Sequence, residues 1–295
     1  MYNMKFLIPT IAITLAIIGI GTIPTTEAIG RDQTPTGITR GGQYVAIPQH
    51  AVEVAEGVYK IGIGIDHASG KVVEGYAFTL RQSEHHAKSS GTPGTKPDKS
   101  GSSSCYAFMA NGANWRLDEP WVVNPANTHG LSASYVFDTL DSSIAQWEDA
   151  SDGILDNSTP RDIFSGGSIT SDNLAIDTTA TDGLNEVVFG EFSEPGVIAV
   201  TYVWGIFGGA PQNRQIVEWD MLFDQVDFDW TSNGQLEPYA MDFSNIATHE
   251  LGHAFGLTHP DASCVDETMF YAADYGETSK IDLHNGDIAG IDKLY

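Results

Sequence analysis

The eleven residues HELGHAFGLTH, His249 to His259, hold three of the nine histidines in a 295-residue chain, together with Glu250. Their spacing restricts the local backbone severely. His249 and His253 are four apart, so a helix places both on one face, about 6 Å apart along the axis, a separation one zinc ion can bridge. His259 lies six residues further on, and six helical steps turn about 600°, which would aim its ring away from the other two. The helix must therefore end between His253 and His259. Gly256 stands in that gap and can take the left-handed conformation that terminates a helix and swings the chain round. A third imidazole then closes a three-histidine site. Glu250 follows His249 directly, so its carboxylate sits beside the ligand face and is the natural general base.

Three neutral imidazoles leave zinc its +2 charge and a fourth position for water, whose pKa falls from about 15.7 to about 7. Glu250 can accept that proton and pass it to a leaving amine while zinc polarises a peptide carbonyl, which is peptide hydrolysis without a covalent enzyme intermediate. The competing explanation is an amphipathic helix with fortuitous surface histidines. Three histidines at these offsets, with the glutamate and the helix-ending glycine, weigh heavily against it.

Apolar residues make up 41% of the chain, enough for a real core in one large domain or two modest ones. Residues 1–28 open with Lys5, continue with the apolar run FLIPTIAITLAIIGIGTI and reach small residues in TTEA, the pattern of a cleaved signal peptide. A retained membrane anchor is the alternative, since about 18 apolar residues just span a bilayer. Pro9, Pro24 and the small residues after the run favour cleavage. Either way the remainder is expected to be secreted or extracellular.

Charge divides the chain: residues 1–104 carry 9 Lys/Arg and 8 Asp/Glu, whereas residues 105–295 carry 5 and 31. Such an acidic surface repels phosphate backbones, so nucleic acid is disfavoured as a partner, and anionic membranes are equally poor ones. Solubility accounts for the acidity; calcium (Ca2+) bound by loop carboxylates is a second use for it in an extracellular protein. The two cysteines, Cys105 and Cys264, make an even count in an exported chain and are expected to pair in a disulfide. The other reading is a free latency thiol at Cys105.

Residues 29–83 hold a polar lead-in and two β-rich runs flanking DHASGK, a turn with Gly70 available for positive φ, which together predict a β-hairpin. A lone hairpin is barely stable in water, so it is expected to pack on the main domain. Residues 84–104, EHHAKSSGTPGTKPDKSGSSS, have almost nothing to bury and read as a flexible linker, with His85 and His86 solvated. In the main domain, residues 105–295, the positions Val136, Phe137, Leu140, Ile144 and Trp147 fall at helical spacings. NEVVFGEF, GVIAVTYVWGIF and IVEWDMLFDQVDFDW read as strands. The order of strand, helix, several strands, then helix predicts an α+β domain with a mixed twisted sheet.

HELGHAFGLTH matches every fixed position of HExxHxxGxxH, and residues 105–295 thereby resemble the metzincin metallopeptidases. That family carries a methionine turn beneath its zinc, and DETMFYAADYGE supplies Met269 ten residues after His259. DIAGIDKLY, Asp287 to Tyr295, is similar to the C-terminal helix of matrixins and serralysins. GVIAVTYVW looks like the edge strand along which the family aligns its peptide substrate. The resemblance implies a three-layer α/β/α fold with two long helices, an active-site helix ending at a glycine and a C-terminal helix. It also implies one catalytic zinc (Zn2+) on His249, His253 and His259, Glu250 as general base, and a peptide or protein substrate.

Departures refine the expectation. No histidine lies between His129 and His249, so the second, structural zinc of matrixins is not expected. FDQVDFDW resembles the matrixin stretch that supplies calcium ligands, which makes Asp224 and Asp227 candidates; solvated loop carboxylates are the alternative. Pro260, Phe270 and Tyr271 are closer to serralysins, and Tyr271 either helps stabilise an oxyanion near the zinc or packs in the turn. The sequence as a whole is read as a monomeric secreted zinc endopeptidase. A catalytically silent extracellular binding protein on the same scaffold is the rival, and the intact Glu250 speaks against it.

Overall fold

Runs dense in Val, Ile, Phe, Tyr and Trp become the strands of one mixed sheet, because branched and aromatic side chains pack well on a pleated surface. The computed structural model describes residues 37–39, 42–83, 104–154 and 161–295; the expected signal (1–28) and nearly all of the expected linker (84–103, with His85 and His86) lie outside the described residues. The principal strands are β1 (Gly37–Thr39), β2 (Gly42–Val45), β3 (Val52–Ala55), β4 (Val58–Ile65), β5 (Val72–Gln82), β6 (Glu186–Phe192), β7 (Val197–Ile206), β8 (Gln215–Asp224) and β9 (Ala272–Ala273). Their order across the sheet is β1-β2-β6-β8-β7-β5-β4-β3, with β9 alongside β5, the short strand Val122–Val123 beside β6, and Ser168–Ile169 beside Val122–Val123. β2, β6 and β8 run parallel, whereas β7 is antiparallel to both of its neighbours.

Alternation along β7 and β8 sends side chains to two faces. Ala199, Val203, Trp219, Met221 and Phe223 enter a core that also receives Leu140, Ile144 and Trp147 of α1 (Ala133–Asp149), Ile246 and Leu251 of α2 (Phe243–Ala254) and Ile291 of α3 (Asn285–Leu294). Each such buried aliphatic side chain contributes roughly 1.5–3 kcal/mol. Val200, Tyr202, Trp204 and Leu222 enter a second core with Ile61, Val73 and Ala77 from β4 and β5. The result is an α+β fold with a mixed sheet and three helices, in which α1 follows the predicted spacing and starts where the Ser132 hydroxyl accepts the Tyr135 N–H.

The hairpin packs on the main sheet as expected, and in doing so it removes an expected edge. GVIAVTYVW, residues 196–204, reads from sequence as an edge strand. In the fold β7 lies inside the sheet, because β5 pairs along it from Val197 opposite Arg81 to Gly205 opposite Glu74. β4 and β3 then continue outward. An open strand edge presents unpaired N–H and C=O groups, and a hairpin that cannot stand alone satisfies them. Among the described residues no helix is long and apolar enough to cross a membrane.

Candidate metal centre

α2 begins where the Asp242 carboxylate accepts the Asn245 N–H at 3.0 Å, and it is capped by Phe255 before Gly256 turns to φ +107°. A Cβ on Gly256 would lie 2.9 Å from the Leu294 side chain and 3.0 Å from the Ala113 carbonyl, so both conformation and space demand glycine. The chain then enters Leu257–Thr258, which pairs with Ala107–Phe108 and carries His259 back toward the helix. Ring centroids are 5.0 Å apart for His249 and His253, 4.9 Å for His253 and His259, and 5.5 Å for His249 and His259. One ring nitrogen from each of the three lies within 4.8 Å of the others.

Each histidine has its second nitrogen committed. Nδ1 of His249 donates to the Thr268 carbonyl at 2.6 Å, Nδ1 of His253 to Leu257 at 3.0 Å, and Nδ1 of His259 to Glu56 at 3.0 Å. A carbonyl only accepts, so the proton sits on Nδ1 and every Nε2 presents a lone pair. All three Nε2 atoms are buried with no hydrogen-bond partner. Burial holds His249 and His253 well below the usual imidazole range, reinforced by their neighbours in the triad, and pushes His259 down to about 4. Three neutral imidazoles with unpartnered lone pairs are the donor set that zinc takes, and burying them without a ligand is costly.

Glu250 is fully buried beside the triad; its Oε2 accepts the hydroxyl of Thr201 on β7, and its Oε1 has no partner. Burial pushes its carboxyl up to about 8, a shift that a cation alongside would oppose. Met269 lies under α2, where a Cβ at Gly252 would come within 2.1 Å of its Sδ and 2.8 Å of the Trp147 ring. Asp287 of α3 anchors the turn by accepting the N–H groups of Thr268 at 2.8 Å and Met269 at 3.2 Å. Sequence reasoning singled out neither Gly252 nor the bracing role of Asp287. A glycine inside a helix was the available signal for the first; nothing local marks the second.

Tyr271 is half-buried, with its ring 6.3 Å from that of His259, and its carbonyl accepts the Arg81 N–H at 3.3 Å. Cys105 and Cys264 are joined in a disulfide with Cα atoms 5.6 Å apart, leaving no free thiol for the latency reading. The bridge ties the start of the domain to the loop ahead of Met269. Neither Asp224 nor Asp227 belongs to a cluster of three or more potential ligand side chains among the described residues. The Asp224 carboxylate braces a turn, accepting the N–H groups of Val226 at 2.7 Å, Asp227 at 2.9 Å and Phe192 at 2.9 Å, while Asp227 is exposed.

The acidic side chains that do converge are Asp177, Glu218 and Asp220, whose oxygens lie within 4.8 Å of one another on the sheet face away from the histidines. The i, i+2 spacing of Glu218 and Asp220 on a strand was the signal for that pair; Asp177 arrives from a loop. A cavity of about 480 Å³ lined by Asn124, Asn173 and Gln225 among others touches none of the candidate residues, so its size does not identify the chemistry.

Residues 199–295 match the Matrixin family profile. The chain is 36% identical over 74 residues to Metalloendoproteinase 2-MMP of Arabidopsis thaliana, covering 23% of this chain and 19% of that protein. It is 40% identical over 77 residues to Matrilysin of Rattus norvegicus, covering 26% of each, and 40% identical over 76 residues to Matrix metalloproteinase-16 of Homo sapiens, covering 26% of this chain and 12% of that protein. The similarity thus spans about a quarter or less of each relative's length. The matched span, from β7 through the methionine turn to α3, is similar to part of a matrixin-like metzincin catalytic domain.

Proposed function

We propose that the chain is a secreted zinc-dependent endopeptidase in which Glu250 is the general base. The observation that carries this reading is the convergence of three buried, unpartnered Nε2 atoms beside a buried carboxylate with a free oxygen. His249, His253 and His259 would hold zinc through Nε2, each ring oriented by its Nδ1–H bond to a backbone carbonyl. When bound there, zinc would supply Lewis acidity toward a peptide carbonyl and toward water.

The remaining chemistry belongs to the protein. Glu250 takes a proton from the attacking water at its free oxygen and delivers it to the leaving nitrogen, while the Thr201 hydroxyl fixes the other oxygen. Tyr271, whose ring lies 6.3 Å from that of His259, would help stabilise the developing oxyanion. Secretion is supported by the leader-like residues 1–28 and by the disulfide, which persists in oxidising surroundings.

Digestion of an unstructured protein such as casein tests the reading. Hydrolysis should require zinc, stop with chelator and fail in Glu250→Gln protein that still binds zinc. Zinc-loaded protein that cleaves no peptide under any condition would leave the silent binding protein as the reading.

A further inference from the structure

β7 carries one hydroxyl into an otherwise apolar wall. Its side chains divide between the two cores, and on the side of α2 Thr201 stands between Ala199 and Val203, all three wholly buried. The residues opposite Thr201 across the sheet, Phe78 on β5 and Met221 on β8, are equally buried and have no side-chain oxygen to offer it. Valine would continue this surface with nearly the same shape. A hydroxyl without accessible surface is tolerated there only if it is hydrogen-bonded.

Its acceptor lies on α2. The Thr201 hydroxyl donates to Oε2 of Glu250, and the other oxygen it reaches among the described residues is the Glu250 carbonyl at 3.5 Å. Glu250 has no accessible surface either, so solvent cannot serve Oε2 in the threonine's place, and Oε1 has no partner. The two carboxyl oxygens are therefore inequivalent. A proton on Oε1 leaves the threonine bond intact. A proton on Oε2 would turn the hydroxyl toward the carbonyl at 3.5 Å, where a hydrogen bond is marginal.

We propose that Thr201 is a positioning residue for peptide hydrolysis, holding Oε2 of Glu250 so that the carboxyl keeps one orientation and proton uptake and delivery are confined to Oε1. The proposal rests on the endopeptidase reading for the reaction, though not for the coupling of the two side chains. It ranks substitutions in an order that packing alone would reverse. Serine keeps the hydroxyl and loses a methyl group, whereas valine keeps the shape and loses the hydroxyl.

Two measurements on the full chain test it. In chelator, Thr201→Val should raise the unfolding equilibrium constant about tenfold in otherwise wild-type protein, because it strands a buried carboxyl oxygen, and less than about threefold in Glu250→Ala protein. With zinc, Thr201→Val should cleave a casein-derived peptide with kcat about 10–100-fold lower while KM and zinc content hold. Thr201→Ser should bring kcat back to within about threefold of wild type.

Equal stability costs in the two backgrounds, a wild-type kcat in Thr201→Val, a loss that falls on KM alone, or valine outperforming serine overturns the proposal and leaves the endopeptidase reading intact. If the stability costs differ but no protein, wild type included, cleaves peptide, the endopeptidase reading fails and the pairing of Thr201 with Glu250 stands. Should Thr201→Val fold only in the Glu250→Ala background, the coupling is shown in its extreme form, and Thr201→Ala takes its place in the kinetic measurement. Failure to fold in both backgrounds marks a threonine kept for structure and overturns the proposal.

Discussion

Two buried clusters of would-be ligands lie on opposite faces of the same sheet, and they meet burial differently. In the histidine triad each ring is fixed by a backbone carbonyl, and burial strips the second proton, which leaves three lone pairs facing one another. Among Asp177, Glu218 and Asp220, burial acts in the other direction. It raises Glu218 to about 9, Asp177 to about 6 and the neighbouring Glu186 to about 7, and it raises Asp220 as well. A buried imidazole escapes its charge by becoming a ligand, whereas a buried carboxyl escapes by keeping a proton. The first cluster therefore presents its lone pairs to a cation, whereas the second relieves part of its burial by protonation, most of all at Glu218 and Asp220.

The largest expected effect is on catalysis at the histidine face. Glu250→Gln should lower peptide hydrolysis by about 10²–10⁴-fold while zinc remains bound, since the ligands stay and the proton acceptor goes. Turnover at the wild-type rate would break the assignment of roles. Metal content comes next: elemental analysis of purified protein should find about one zinc per chain, lost in His259→Ala, because one complete histidine triad exists among the described residues. Two tightly held metals per chain would show that the carboxylate face binds as well, and the contrast would collapse.

A smaller effect belongs to the disulfide, which closes a separation of 159 residues and anchors the loop ahead of the methionine turn. Its removal by Cys105→Ala with Cys264→Ala should cost about 2–4 kcal/mol of stability, seen as a lower denaturation midpoint. The smallest effect should appear as a pH slope. Carboxyls raised in the folded state stabilise it below their unfolded pKa, near 4, and that contribution is lost as pH rises toward the folded values of about 6, 7 and 9. In chelator, the melting temperature should therefore decline between pH 5 and pH 8 more steeply in wild-type protein than in Glu218→Gln, which keeps the Gly183 N–H bond through its amide oxygen. Parallel slopes would mean that the cluster does not hold its protons.

Much of the metal centre was legible in eleven residues, because helix geometry is local: offsets of four and six, with a glycine between, leave few ways to bring three rings together. The amphipathic spacing of α1 and the branched runs of β6 to β8 were legible for the same reason, since their periods repeat within a few residues. The pairing of Cys105 with Cys264 followed from an even count of two. Only the tertiary structure decided that β7 is not an edge, because which strand fills an open edge depends on a partner more than 100 positions away in sequence. It likewise decided that Asp224 braces a turn while Asp177 meets Glu218 and Asp220 across the sheet. Spacing along a chain encodes periodicity and local turns; which distant strand closes an edge, and which carboxyls share a buried site, is set by the packing of whole elements.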